Sequence, residues 1–196
     1  MTVTVGLFGK LPAHGDFVRR GLPGALVDSL DAWLQAELGR AEDPAAAITA
    51  IRPARLASTA IAPGQLALGA LVAGRDRVGR SYPLLALRLS PHPSGVLPEA
   101  MPVAWDDWCG RAEAILLAAS QSAWSADVTQ AALETAARAT VAALVPAPMF
   151  GVPNDREPAT LSWRPTLVPG PRVTTRSVGL PRGAAFDALI GQAVLA

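Results

Sequence analysis

The stretch QLALGALVAGRDRVGRSYPLLALRLS, residues 65–90, decides the fold. It contains two long apolar runs, 65–74 and 81–90, joined by a short polar turn with a glycine near each end. Two such runs with a short glycine-containing connection predict a β-hairpin. Because both runs are apolar at nearly every position, both faces of the hairpin are expected to be covered, which places it at the centre of a sheet.

The flanking segments predict further strands and helices around this hairpin. Alternating or β-rich runs predict strands at 2–9, 55–62 and 159–165, and apolar residues at helical spacing predict helices at 23–39, 104–124, 127–144 and 183–193. Asp127 is the expected N-terminal cap of its helix. Proline-rich segments at 91–102 and 146–171 are expected to be loops around these elements.

The predicted fold class is α/β of the α+β type, with a central, mainly antiparallel sheet flanked by helices. One domain is expected over residues 1–196. Its N-terminal part, about 1–90, carries the polar motifs, and its C-terminal part, about 104–196, is helical and proline-rich.

Composition limits the possible functions. Hydrophobic residues make up 51% of the chain and charged residues 17%, which is ample for a core. The net charge of +1 predicts no nucleic-acid binding, and the longest apolar runs are too short for membrane insertion. One cysteine and two histidines predict no disulfide, no metal and a reducing, cytoplasmic setting.

The stretch GLFGKLPAHGDFVRRGLP, residues 6–23, is the most polar and turn-rich part of the chain. It is not a Walker motif, because Lys10 is followed by leucine and proline rather than by Ser or Thr at a helix start. No GxSxG elbow is present, Cys109 falls inside a predicted helix, and Asp106 and Asp107 are expected to stabilise a helix start. The residues therefore predict neither an enzyme nor a cofactor.

Two glycine-rich turns remain as the candidate site. Their polar side chains either pair with one another, for instance Asp16 with Arg77 or Arg80, or form a surface for a partner, since arginine and tryptophan are common interface anchors. Phe8 and Phe17 are expected to anchor the first turn in the core. The candidate site residues are Lys10, His14, Asp16, Arg19, Arg20, Trp33, Asp76, Arg77 and Arg80.

The same motifs resemble a known family. Residues 6–23, followed by DAWLQ (31–35), closely resemble the opening of the TagF family of bacterial type VI secretion, and DRVGRSYPL (76–84) resembles its second signature. LSWRP (161–165) and GLPRGAAFDALI (179–190) are looser matches. The chain departs from the family at 51–64, where members commonly carry a Trp-Arg-Phe-like segment, and in having Trp163 alone near the C-terminal strand.

The resemblance implies a cytoplasmic, non-enzymatic accessory protein that represses type VI secretion after translation. It implies as partner the forkhead-associated (FHA) scaffold protein of the apparatus. Two other functions stay open. One is a small-molecule or phosphate sensor that uses Lys10, His14 and the arginines, and the other is a structural subunit of the secretion machine.

Overall fold

A computed structural model describes residues 3–92, 97–98, 102–139, 157–164 and 174–191. These residues form one seven-stranded antiparallel sheet with five helices, which confirms the predicted fold class. The strands lie in the order β2-β1-β5-β4-β3-β6-β7. In chain order the elements are β1 (Thr4–Gly9), β2 (Val18–Arg20), α1 (Gly24–Leu38), α2 (Pro44–Thr49), β3 (Ala54–Ser58), β4 (Gln65–Arg75), β5 (Ser81–Pro91), α3 (Val103–Gln121), α4 (Ala126–Ala139), β6 (Ala159–Trp163), β7 (Thr174–Val178) and α5 (Ala184–Ile190).

The predicted hairpin forms the centre of the sheet. β4 and β5 pair along all eleven residues of each strand, from Gln65 opposite Pro91 to Arg75 opposite Ser81. Successive residues point to opposite faces, and each face packs against helices. Leu68 and Leu84 pack with α3 and α4 on one face, whereas Leu71 and Leu85 pack with α1, α2 and α5 on the other. The hairpin is therefore covered on both faces, as its apolar runs predict.

A buried ion cluster joins α3 to the sheet. Arg55 on β3 contacts Asp106 Oδ1 through Nη1 at 2.8 Å and Glu113 Oε2 through Nε at 2.7 Å. The indole Nε1–H of Trp163 on β6 donates to the same Asp106 oxygen at 2.7 Å. Asp106 thus ties the helix start to two strands, a role that its position at a helix start does not indicate. Asp107 is exposed and pairs with Arg111.

Several predicted boundaries need correction. Asp127 is not the N-cap of α4, because Ser125 Oγ accepts the hydrogen bond from the Val128 amide and Asp127 lies in the first helical turn. Three short elements, β2, α2 and β7, were not predicted, since runs of three to six residues carry too little periodicity to be recognised. Parts of the predicted loops and helices, including 140–144 and 146–156, lie outside the described residues.

None of the helices in the described part of the chain has the length and hydrophobicity needed to cross a membrane.

Two glycines of the GLFG motif allow close approach of neighbouring strands. A Cβ atom on Gly6 would lie 2.2 Å from the carbonyl oxygen of Arg20, and one on Gly9 would lie 2.1 Å from that of Pro83. Gly9 also has a φ of 137°, which other residues rarely adopt. β1 can therefore fit between β2 and β5 only with glycine at these positions.

Replacing Gly9 by alanine is expected to lower the free energy of unfolding by about 3 kcal/mol, because both a backbone clash and an unfavourable φ are introduced. Gly24→Ala is the matched control, since a Cβ there meets no atom within 4 Å. Urea unfolding followed by circular dichroism measures both variants. Equal stability of the two variants would contradict the packing described for β1.

Candidate functional site

The two polar turns lie side by side at one end of the central hairpin. The Arg77 amide donates to the carbonyl oxygen of His14 at 2.8 Å, and Arg80 Nη2 donates to that of Gly15 at 2.6 Å. We call residues 10–17 the signature loop and residues 76–80 the hairpin turn. The expectation that the two turns meet is thus confirmed, although Asp16 does not provide the ion pair. Its carboxylate accepts from the adjacent Phe17 amide at 2.8 Å.

Asp76 is the centre of this arrangement. Its side chain is buried, with Lys10 Nζ at 3.1 Å and Arg80 Nε at 2.7 Å from Oδ2. Oδ1 accepts from the backbone amides of Val78 and Arg80 at 3.1 and 2.9 Å. Burial alone would raise the pKa of this carboxyl, but the hydrogen bonds from Arg80 and Lys10, with the charge of Lys10, hold the pKa well below its usual range.

An aromatic cluster of Phe8, Phe17 and Tyr82 packs at the end of the signature loop. Phe17 stacks on Phe8 with ring centroids 5.8 Å apart and meets Tyr82 edge-on at 4.8 Å. Lys10 Nζ lies 5.0 Å from the centroid of the Phe17 ring, within the range of a cation–π contact. Phe8 is fully buried as expected, but Phe17 is 36% exposed, so the prediction that it anchors the loop inside the core is wrong. It stacks on Phe8 while remaining partly exposed to solvent.

Tyr82 is a residue of this site that sequence reasoning missed. Its hydroxyl donates to Asp31 Oδ1 on α1, and burial, followed by the hydrogen bond and charge of Asp31, raises the pKa of the phenol. Tyr82 lies two residues after the hairpin turn, within the second signature motif. That position was the available signal, but nothing in the sequence indicates Asp31 as its partner.

His14 connects the signature loop to α4. Its Nε2 accepts a hydrogen bond from the backbone amide of Ala126 at 2.9 Å. This contact satisfies one of the unpaired amides at the helix start. His14 therefore has a structural partner 112 residues away.

Arg19 and Arg20 lie on β2, beside the signature loop. Arg19 Nη1 is 3.4 Å from Asp28 on α1, and Arg20 Nε is 2.7 Å from Asp127 on α4. The hydrogen bond and charge of Arg20 lower the pKa of Asp127. All four side chains are substantially exposed, so these pairs orient the arginines without contributing much to stability.

Trp33 does not belong to this surface. Its indole is buried, donates to the carbonyl oxygen of Pro181 at 2.8 Å, and packs edge-on against Phe186 with centroids 5.5 Å apart. Lys10 and Asp76 are also buried. These three residues hold the fold together, whereas the exposed candidates are Asp16, Arg19, Arg20, Arg77 and Arg80.

No group of three or more His, Cys, Asp or Glu residues placed to hold a metal ion occurs in the described ranges. Cys109 is fully buried, and burial raises the pKa of its thiol. A cavity of about 420 Å³ lies between β1 and α4 and includes none of the candidate residues; its lining is Val3, Thr4, Val5, Gly21, Gln130, Glu134, Ala137 and Arg138.

Comparison with known families decides the identity. Residues 6–136 match the family described as the TagF N-terminal domain, type VI secretion system-associated. The chain belongs to this family. The matched range includes the signature loop, the hairpin turn and most of α4.

A solved structure extends the likeness over the remaining elements. The crystal structure of PA0076 from Pseudomonas aeruginosa PAO1 superimposes with a TM-score of 0.62, and the alignment covers 98% of this chain and 97% of that protein at 24% sequence identity. This likeness shows a shared fold that includes the C-terminal strands and α5. No curated protein matches the chain.

Asp76→Asn is expected to lower the melting temperature at pH 7 by about 10 °C, because Lys10 and Arg80 lose their buried counter-charge. The folded-state pKa of Asp76 is depressed, so its stabilisation is complete above the ordinary carboxyl value near pH 4 and is lost as the pH falls further. Differential scanning calorimetry from pH 7 to pH 2 should therefore show the wild-type and variant melting temperatures converging below about pH 4.

Asp107→Asn is the control for this experiment, because Asp107 forms only an exposed ion pair with Arg111. Its melting temperature should stay within about 2 °C of the wild type. A difference between wild type and Asp76→Asn that stays constant from pH 7 to pH 2 would show that the Asp76 charge is not the stabilising element.

His14→Ala is expected to destabilise the protein by about 1 kcal/mol, since the amide of Ala126 loses its acceptor. Amide hydrogen exchange should accelerate in the first turn of α4 and in the signature loop, and remain unchanged in β4 and β5. Ser125→Ala, which removes the neighbouring cap, is a matched comparison that should loosen the helix start but leave the loop protected. Unchanged exchange at Ala126 in His14→Ala would contradict this connection.

Proposed function

We propose that this protein represses type VI secretion by binding a cytoplasmic component of the apparatus, the FHA scaffold protein. Membership of the type VI secretion-associated TagF family supports the system, and the resemblance of the two signature motifs supports the regulatory role. The observation that carries the proposal is the rigid double turn, in which the signature loop and the hairpin turn are fixed to each other by hydrogen bonds and a buried carboxylate. Such a surface suits stoichiometric binding.

The same geometry argues for binding without turnover. The polar groups that a catalyst would need are committed to internal partners, with Lys10 and Arg80 on Asp76 and His14 on the α4 amide. A general base or nucleophile needs a free lone pair within reach of a substrate. The protein is therefore proposed to act by occupancy, with an effect that scales with its amount and requires no cofactor.

A phosphate or small-molecule sensor is a weaker candidate for this site. The backbone amides of the hairpin turn, which would bind an anion, already donate to Asp76. A sensor would predict thermal stabilisation by phosphorylated ligands, because a ligand that binds only the native state raises stability. A structural subunit of the machine would instead comigrate with assembled sheath or baseplate.

The test combines binding with secretion. Purified chain and the FHA scaffold protein from the same genome are expected to form a stoichiometric complex by size-exclusion chromatography and calorimetric titration. In cells that lack the chromosomal copy, graded expression of the chain should reduce the number of fluorescent sheath assemblies in proportion to its amount, because repression by occupancy follows the bound fraction.

Separate outcomes distinguish the proposals. A chain that represses sheath assembly but does not bind the FHA scaffold would leave the repressor role intact and assign a different partner. No change in sheath number across the expression range would overturn repression itself. Comigration with assembled sheath at a fixed ratio would favour the structural subunit.

A further inference from the structure

The exposed end of the double turn combines apolar and basic side chains. The large hydrophobic residues that lie exposed in the described part of the chain are Phe17, Val78, Val103, Val128 and Val178. Two of them, Phe17 at 36% and Val78 at 66% exposure, lie on the signature loop and the hairpin turn. A partly exposed aromatic ring that is held in place by its neighbours is a suitable anchor for a partner.

Charge is concentrated at the same end. Residues 10–20 and 75–80 contain six Lys or Arg and two Asp side chains, a net charge of +4, whereas the whole chain carries +1. Asp28 and Asp127 pair with Arg19 and Arg20, which leaves +2. Within the described residues Arg75 and Arg77 form no ion pair, and both are exposed.

The surface is fixed before a partner arrives. The Arg77 amide donates to the His14 carbonyl, and the Arg80 side chain donates to the Gly15 carbonyl. Asp76 accepts from the Val78 and Arg80 amides and from the Arg80 side chain. Binding to a preorganised surface costs less conformational entropy than binding to a flexible loop. The unpaired arginines therefore project from a rigid support.

We propose that this tip surface, defined as Phe17, Arg75, Arg77 and Val78, binds an acidic segment of a protein partner that carries an aromatic or aliphatic side chain. The inference rests on the proposed function insofar as it takes a protein as the partner. The partner's carboxylates pair with Arg75 and Arg77, where bidentate contacts are available, and its apolar side chain packs on Phe17 and Val78.

Other anionic partners fit this surface less well. A nucleic-acid interface typically neutralises several phosphates over a broad basic area, which two unpaired arginines do not provide. Attraction to an anionic membrane usually takes clusters of four to eight cations or a long amphipathic helix. A narrow tip with two arginines and two apolar side chains matches a short acidic peptide segment.

The first test is independent of any named partner. Peptides displayed on phage are selected on immobilised wild-type chain and counter-selected on the folded variant Arg75→Glu/Arg77→Glu. Enriched peptides are expected to carry Asp or Glu next to Phe, Trp or Leu, and their synthetic versions should bind the variant at least about tenfold more weakly. Arg176→Glu/Arg182→Glu is the matched control, because it makes the same charge change at exposed arginines elsewhere and should bind like the wild type.

The second test uses the proposed partner. If wild type binds the FHA scaffold, Arg75→Glu/Arg77→Glu and Val78→Glu should each weaken the complex about tenfold or more, while the control variant does not. Arg80→Glu is unsuitable here, since Arg80 holds Asp76 and the signature loop. Circular dichroism and melting confirm that each variant is folded.

The outcomes separate this inference from the proposed function. Scaffold binding that is unchanged in both tip variants would overturn the tip surface and leave the repressor proposal standing. No scaffold binding, together with selection of acidic-apolar peptides that depends on Arg75 and Arg77, would support the tip surface and remove the proposed partner. Selection without acidic enrichment would overturn the inference. So would tip-dependent binding of a single-stranded RNA or of phosphatidylglycerol vesicles in place of peptides.

Discussion

Burial of the central hairpin on both faces is the constraint on which the rest of the structure depends. β4 and β5 are covered by helices on each side, so polar side chains are largely confined to the strand ends. At the turn between them, a carboxylate and several cations are brought together in little space. The Asp76 carboxylate forms ion pairs with Lys10 and Arg80 and accepts hydrogen bonds from two backbone amides. Because Lys10 belongs to the signature loop, these contacts attach that loop to the hairpin turn. The rigidity of the candidate surface is thus a consequence of how apolar the strands are.

Much of this architecture could be predicted from the sequence, because the decisive signals are local. The continuous apolar runs at 65–74 and 81–90 predict the hairpin, and regular spacing predicts α1 and α3. The meeting of the two polar turns was predicted from charge alone.

What could not be predicted are the contacts between distant residues: His14 with Ala126, Arg20 with Asp127 and Tyr82 with Asp31. Each depends on tertiary placement, and no spacing rule relates such positions. Phe17 is expected in the core because aromatic residues are usually buried. In the structure its ring stacks on the buried Phe8 and remains 36% exposed to solvent.

The charge pattern links the fold to a mode of recognition. Most cations at the hairpin end form ion pairs with carboxylates from α1, α4 and the turn itself. These pairs lower the net positive charge of the surface and so weaken its nonspecific attraction for anions. Two arginines remain available next to two apolar side chains. A few exposed ion pairs or a small apolar contact alone does not give tight binding. A partner of the inferred tip surface must therefore offer both acidic and apolar side chains, and this double requirement would give selectivity.

Contacts between α1 and the C-terminal segment, together with β6, complete the fold around the N-terminal motifs. Trp33 donates to Pro181, Glu37 accepts from the Gly183 amide, and β6 completes the pairing of β3. A fragment ending at residue 136, where the family match ends, would leave β3 as an open sheet edge, Asp106 without its Trp163 donor and the Trp33 indole without an acceptor. The motifs of the N-terminal region thus have structural partners beyond residue 136. In the folded chain, β6 covers the edge of β3 and the 181–183 segment supplies the partners of Trp33 and Glu37.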